Sequence, residues 1–240
     1  MQTNILDWLE ATAAHTPEGA AVGDAQQDYT WAQLAENARR AGSFLAGHTA
    51  PRCPGAFYLE KSAPVFAAML GTVYAGCCYS VLDTRQPAAR TQQVLSTLQP
   101  SLLITDRDHA DAAAALGCSC SVYLLEDLLT AAVQPSLLAA RRAQAVDVDP
   151  LYINFTSGST GVPKGVTVSH RSVLDFIPQF AAIFGIKAQD ILGNQAPFDF
   201  DVSVKDLYTA LYTGAKVQII PRAYFSQPTK LMDYLADHAV

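Results

Sequence analysis

"NFTSGSTGVPKG", residues 154–165, sets three glycines, four hydroxyl side chains and one lysine between two apolar runs, "LYINF" before it and "GVTVSH" after it. Side chains this small let backbone N–H groups converge, and a nest of amides with hydroxyls and a lysine is a holder of phosphate oxygens. A flexible Gly/Ser linker has a similar composition, but linkers are not usually framed by a strand on each side. The stretch therefore predicts a phosphate-binding turn between two strands. It is not the G-x-x-x-x-G-K-[ST] loop, because Gly158 and Gly161 lie too close together and Lys164 is followed by Gly165. No G-x-G-x-x-G is present either, so a dinucleotide fold has no support.

The rest of the chain has to supply a scaffold for that turn. With 240 residues, 50% hydrophobic and 16% charged, it can bury a substantial core as one large domain or two small ones. A net charge of -6 argues against a nucleic-acid backbone or an anionic membrane as the main partner, since neither has a basic patch to meet. The opening "MQTNILDWLEATAAHTPEG" has no basic, apolar leader, and a cytoplasmic location is expected. Cys53, Cys77, Cys78, Cys118 and Cys120 include no C-x-x-C pair and are read as reduced, mostly buried thiols. The uncharged stretch "APVFAAMLGTVYAGCCYSVL", residues 63–82, is long enough to span a bilayer. Pro64, Gly71 and Gly76 instead divide it into a buried helix and a strand.

Helix and strand signals alternate along the whole sequence. "ILDWLEATAAH" reads as a helix, and "AAVGDAQQDYTW" as two short strands around a polar turn. Thr30 and Gln33 have the spacing of a capping box, and the helix they open runs to Gly47. "GAFYLE", "CYSVLD", "SLLIT" and "SVYLL" read as strands with helices between them, one entered at Pro87. Strands separated by helices need crossovers, which makes them parallel, so the expected fold is α/β with mostly parallel sheets flanked by helices. "TAAVQPSLLAARRAQAVDVDP" is the least periodic segment and reads as a bridge between two halves. Beyond the turn, "SVLDFIPQFAAIFG", "DVSVKDLYTALYTG" and "TKLMDYLADHAV" read as helices, with "ILGNQ" and "KVQIIP" as strands. The last helix shows no cap or terminating glycine before Val240, the pattern of a fragment.

Over "YINFTSGSTGVPKGVTVSHRSV" the sequence resembles the signature of the acyl-adenylate-forming family: acyl-CoA synthetases, luciferases and the adenylation domains of peptide synthetases. "YTWAQLAENARRAG" and "GTVYAGCCYSVLDTRQPAAR" resemble two earlier motifs of that family, in the expected order. "FDFDVSVKDLYTALYTGAKVQIIP" is similar to its amino-acid-activating branch, whose motif is Phe-Asp-x-Ser. Cys77 and Cys78 depart from the family, which more often has small or aliphatic residues there. The family's later motifs are missing, so the resemblance implies that residues 1–240 are the N-terminal portion of an AMP-binding (adenylation) domain, without its C-terminal portion and small lid domain.

The resemblance implies an enzyme that uses ATP and Mg2+ to activate an amino acid carboxylate as an aminoacyl-adenylate, releasing pyrophosphate. The aminoacyl group would then pass to the phosphopantetheine thiol of a carrier protein. The alternatives are an acyl-CoA synthetase for an acid without an amine, and a nonenzymatic nucleotide-binding module. The transition state loads negative charge onto phosphate oxygens, so the chemistry needs positioned donors. Thr156, Ser157, Ser159 and Thr160 can offer hydroxyls, Gly158 and Gly161 admit the backbone, and Lys164 would meet the leaving pyrophosphate, with Thr156 and Lys164 as the catalytic candidates. Asp201 matches the aspartate that pairs with the substrate ammonium, with Val202 and Lys205 beside it on the substrate side. Asp199 could be confused with it, and an N-cap role for either aspartate is the purely structural reading. Lys205, four residues beyond Asp201, either neutralises it or reaches solvent, or it faces a carboxylate of an acidic substrate. His170 follows a strand alone and is read as structural.

Overall fold

The computed structural model describes residues 2–156 and 162–240. Helix α1 (Leu6–His15) buries Leu6, Trp8 and Leu9 and leads into an antiparallel pair, β1 (Ala20–Gly23) and β2 (Asp28–Thr30). Helix α2 (Trp31–His48) begins with the capping box read from the sequence: the Gln33 amide donates to Thr30 Oγ1 at 3.3 Å, and the Thr30 amide to Gln33 Oε1 at 2.9 Å. It ends one residue past Gly47. The uncharged stretch divides as expected, following β3 (Pro54–Tyr58), into α3 (Ala63–Tyr74) and β4 (Cys78–Leu82). Gly76, at φ +74°, turns the chain between them. Among the described residues, no helix is long and apolar enough to cross a membrane. α2 and α3 touch through glycine, for a Cβ added to Gly71 would lie 2.5 Å from Ala41 Cβ.

Alternation continues through α4 (Ala88–Leu98), β5 (Leu102–Thr105), α5 (Ala110–Ala115) and β6 (Ser121–Leu124). After α6 (Leu125–Thr130), the segment read as a bridge, residues 130–150, carries a helix of its own, α7 (Pro135–Gln144). Tertiary contact rather than periodicity holds α7: Leu138 is buried, and Arg141 donates to the Ala46 and Thr49 carbonyls at the end of α2, at 2.9 and 2.8 Å. Then come β7 (Pro150–Thr156), β8 (Lys164–Ser169), α8 (His170–Phe184), β9 (Ile191–Asn194), α9 (Val202–Thr213) and β10 (Lys216–Ile219), followed by a 3-10 turn (Arg222–Ser226) and α10 (Pro228–Asp237).

The last helix does end within the sequence. Ala239 takes a left-handed φ of +54°, and the Val240 and Ala239 amides close back on the Leu235 and Ala236 carbonyls. This is a Schellman stop built on alanine, which the absence of glycine concealed.

The strands form two sheets, β2-β1-β10-β9 and β6-β5-β3-β4-β7-β8. Pairing is parallel except within the hairpins β1–β2 and β7–β8. The chain between the strands of each pair is too short for a crossover helix, so the strands run antiparallel. One apolar cluster runs through α1, α2, α3 and α9 and joins the sheets. His170 is structural, as expected: it is 3% exposed and accepts the Ile5 amide on Nδ1 at 3.4 Å. Burial, followed by nearby Arg142, pushes it down to about 4.

Candidate functional site

The quoted turn is the tip of the hairpin at one edge of the six-stranded sheet. Its base is Thr156, paired in register with Lys164. Ser157, Gly158, Ser159, Thr160 and Gly161 lie outside the described residues. Thr156 and Lys164 are both exposed, and the Thr156 carbonyl accepts a hydrogen bond from Arg90 at 3.2 Å.

Beside the hairpin is a cleft of about 540 Å³, walled by Arg90, Tyr152, Thr156, Asp199 and Asp201 among others. Thr156 and Asp201, 45 positions apart in sequence, thus share one cavity. Lys164, Val202 and Lys205 are not in its walls.

Asp201 holds the N-cap position of α9, yet its side chain makes no capping hydrogen bond. The structural reading of Asp201 therefore lacks its defining contact, and the carboxylate is exposed to the cleft. Ser203 is buried and turns its hydroxyl back to the Phe200 carbonyl at 2.7 Å, which shapes the bend carrying Asp201.

Lys205 does not pair with Asp201, contrary to one of the two expectations for it. The Asp201 backbone is itself α-helical (φ -59°, ψ -24°), so the i,i+4 spacing is available, but the Lys205 side chain is turned to a different neighbour. Lys205 instead places Nζ 5.8 Å from the centre of the Phe180 ring on α8, a cation–π contact.

Of three further neighbours of the cleft, Arg90 and Tyr152 were not singled out by sequence, and Asp199 was named there only as a possible confusion with Asp201. Arg90 sits inside the quoted "DTRQPAAR", but nothing in its spacing revealed which strand end it would reach. Asp199 is half-buried, and burial together with the Asp83 carboxylate pushes it up to about 6. Tyr152 is pushed up to about 12, first by burial and then by Asp201. Its ring stacks on Tyr79, whose hydroxyl meets that of Tyr208 on α9 at 2.6 Å. The floor of the cleft is thereby tied to the helix that follows Asp201.

Mostly parallel sheets flanked by helices, with an edge hairpin and an exposed carboxylate meeting at one cleft, define the class: an α/β protein with a polar cleft. The chain belongs to the AMP-binding enzyme family, whose profile matches residues 9–240. The family is one of adenylate-forming enzymes, and peptide synthetases that activate amino acids are among the relatives.

The chain is 33% identical over 227 residues to pyochelin synthetase PchF of Pseudomonas aeruginosa, covering 94% of this chain and 12% of that protein. It is 28% identical over 233 residues to D-alanine–D-alanyl carrier protein ligase of Staphylococcus aureus, covering 97% of this chain and 46% of the ligase. Its structure superposes on the nonribosomal peptide synthetase FmoA3 bound to alpha-methyl-L-serine-AMP with a TM-score of 0.87 at 26% identity, over 99% of this chain and 26% of that one. A fatty acyl-adenylate ligase from L. pneumophila shares the fold, with a TM-score of 0.84 at 21% identity over 99% of this chain and 43% of that one. The chain spans less than half the length of these curated relatives.

Proposed function

We propose that this chain contributes the ATP-facing and amino-acid-facing walls of an enzyme that activates an amino acid. A carboxylate oxygen of the substrate attacks the α-phosphorus of ATP, the bond to the β-phosphate bridging oxygen breaks, and pyrophosphate leaves with the electron pair. The observation that carries this reading is the convergence of Thr156 and Asp201 on one cleft, which sets a phosphate-binding turn opposite an anion suited to an ammonium group.

In this reading Thr156, Ser157, Ser159, Thr160 and the backbone at Gly158 and Gly161 cradle the phosphates, and Lys164 neutralises the departing pyrophosphate. Asp201 holds the α-ammonium, and Val202 and Lys205, outside the cleft walls, follow it on α9 at the side-chain end. Among the described residues no group of three or more His, Cys, Asp or Glu is placed to hold a metal. Mg2+ would accordingly enter with the phosphates of ATP and take few protein ligands.

The names of the relatives support an amino acid as substrate and a carrier-protein thiol as the final acceptor. Asp201 favours this reading over an acid without an amine, because that substrate would leave the carboxylate without a partner. ATP–pyrophosphate exchange with a panel of amino acids and of amine-free acids tests it, in a protein spanning the length of the relatives. Exchange driven only by amine-free acids would replace the amino-acid reading with the acyl-CoA synthetase alternative. No exchange with any acid, together with retained ATP binding, would leave a nucleotide-binding module.

A further inference from the structure

Nothing so far uses Lys61, which lies just past the end of β3 and is one of the most heavily engaged cations in the structure. Its Nζ donates to the carbonyls of Asn194, Gln195 and Ala196 at 2.8, 2.8 and 3.2 Å, and to Asn194 Oδ1 at 3.0 Å. Asn194 is fully buried at the end of β9, in the other sheet, and its Nδ2 donates to Asp206 Oδ2 on α9 at 3.0 Å. Only one orientation of the amide satisfies both neighbours, since an ammonium can only donate and a carboxylate can only accept. Burial lowers Lys61 to about 8 and raises Asp206, so both charges are partly withdrawn from water and rely on this relay.

We infer that Lys61, Asn194 and Asp206 form a positioning network that fixes the arch carrying Asp199 and Asp201 at a set distance from the sheet carrying the phosphate turn. The arch runs from residue 195 to residue 201 and has one foot on each end of the relay. Lys61 grips the carbonyls at its start, and Asp206, on the helix that follows it, is held by Asn194. Lys61 follows β3 of the six-stranded sheet, whose β8 edge bears the hairpin. The two ligand-binding walls are built on different sheets, and this relay is a polar tie between the strand ends that face the cleft. The three residues touch no substrate in this scheme and act through the arch. The inference rests on the proposed adenylation for its catalytic meaning, though not for its structural content.

Hydrogen exchange on the 240-residue chain reads the structural part. Lys61→Met should speed exchange of amides in residues 195–201 by about 10-fold or more, leaving β3, β4 and β5 unchanged. The isosteric Asp206→Asn should act in the same place, and the double variant should add little to either single one. Asp206→Asn also carries the test should the Lys61→Met chain fail to fold. Unchanged exchange in the arch, or acceleration spread evenly over both sheets, overturns the network.

Pyrophosphate exchange in a protein the length of the relatives reads the functional part. Misalignment of two bound ligands lowers kcat by about 10- to 100-fold and moves either KM by less than about threefold, with Lys61→Arg restoring most of the rate. An unaltered kcat for Lys61→Met, or an equal loss for Lys61→Arg, overturns the positioning role. An unsubstituted protein that exchanges with no amino acid overturns the adenylation reading instead, and the amide exchange still decides the network.

Discussion

The hairpin that bears the phosphate turn and the arch that bears Asp201 face each other across one cleft, yet they are held in different ways. The hairpin is an edge structure: Thr156 and Lys164 at its base are exposed, and among the described residues the Thr156 carbonyl accepts a hydrogen bond from Arg90. The arch is pinned beneath by Lys61, Asn194 and Asp206 and by the buried Tyr79–Tyr208 contact. A wall that must close on ATP and release pyrophosphate needs latitude, whereas a wall that reads one small ligand needs fixed geometry. Under the proposed adenylation, the contrast assigns the two jobs of the site to different sheets.

The most severe way to break the comparison is to leave both walls with nothing added. The 240-residue chain alone is expected to catalyse amino-acid-dependent pyrophosphate exchange at least about 1,000-fold more slowly than a protein of its relatives' length, because positioning chemistry fails when ligand contacts are lost. Comparable rates from the chain alone would mean that its own two walls suffice.

Acid pH separates the two regions by sign. His170, at the root of the hairpin, is held down to about 4. The unfolded chain therefore binds a proton that the folded chain refuses, and stability falls as pH drops from about 6.5 to about 4, by up to roughly 3 kcal/mol. Asp199, in the arch, is raised to about 6, so the folded state takes up a proton before the unfolded state does, and stability rises as pH drops from about 6 to about 4. The two effects oppose each other in nearly the same window. Denaturant titrations at pH 4.5 and pH 7 should show His170→Gln losing most of the acid sensitivity and Asp199→Asn increasing it. Identical pH dependence in all three proteins would remove the distinction.

Smaller effects probe each wall singly. Asp201→Ala should lower kcat/KM for the amino acid by about 100-fold, in line with loss of one charge-assisted contact, and leave ATP binding nearly intact. Lys164→Ala should slow pyrophosphate release by about 10-fold while shifting unfolding by less than about 0.5 kcal/mol, since the side chain is exposed. Thermal unfolding and single-turnover rates on the same preparation distinguish these outcomes. Lys205→Met, which keeps a contact with Phe180 but loses the charge, should change relative rates by a fewfold for acidic amino acids and by less for alanine or glycine. A preference for alanine or glycine that survives the substitution would separate Lys205 from substrate recognition and leave Asp201 untouched.

Composition made the hairpin wall readable before any fold was known, because small residues and hydroxyls crowd into one continuous stretch. The capping box at Thr30 and Gln33, the division of residues 63–82 and most of the strands were readable for the same reason: each signal lies within a few residues. α7 was not, since its stability comes from Arg141 reaching the end of α2. The arch was legible only in part. Phe200, Asp201 and Ser203 announce a motif, but Lys61 lies 133 positions from Asn194, and no local pattern links them. Lys205 misled because i,i+4 spacing suggests a pair, while its side chain lies over the Phe180 ring on α8, which no local pattern reveals.

The four-stranded sheet sets a timetable for folding. Strands β3 to β6 pair within one stretch of chain, so the larger sheet can begin to assemble as soon as that stretch is available. β1 has to wait, because its parallel partner is β10, with Val22 aligned to Val217. Until residue 219 has been made, β1 and β2 are a lone hairpin, a unit of marginal stability. During synthesis the nascent chain is thus expected to hold β1 and β2 uncommitted until β10 has been made, and to complete the smaller sheet in a long-range closure. Chaperone dependence should concentrate at that joining of β1 to β10.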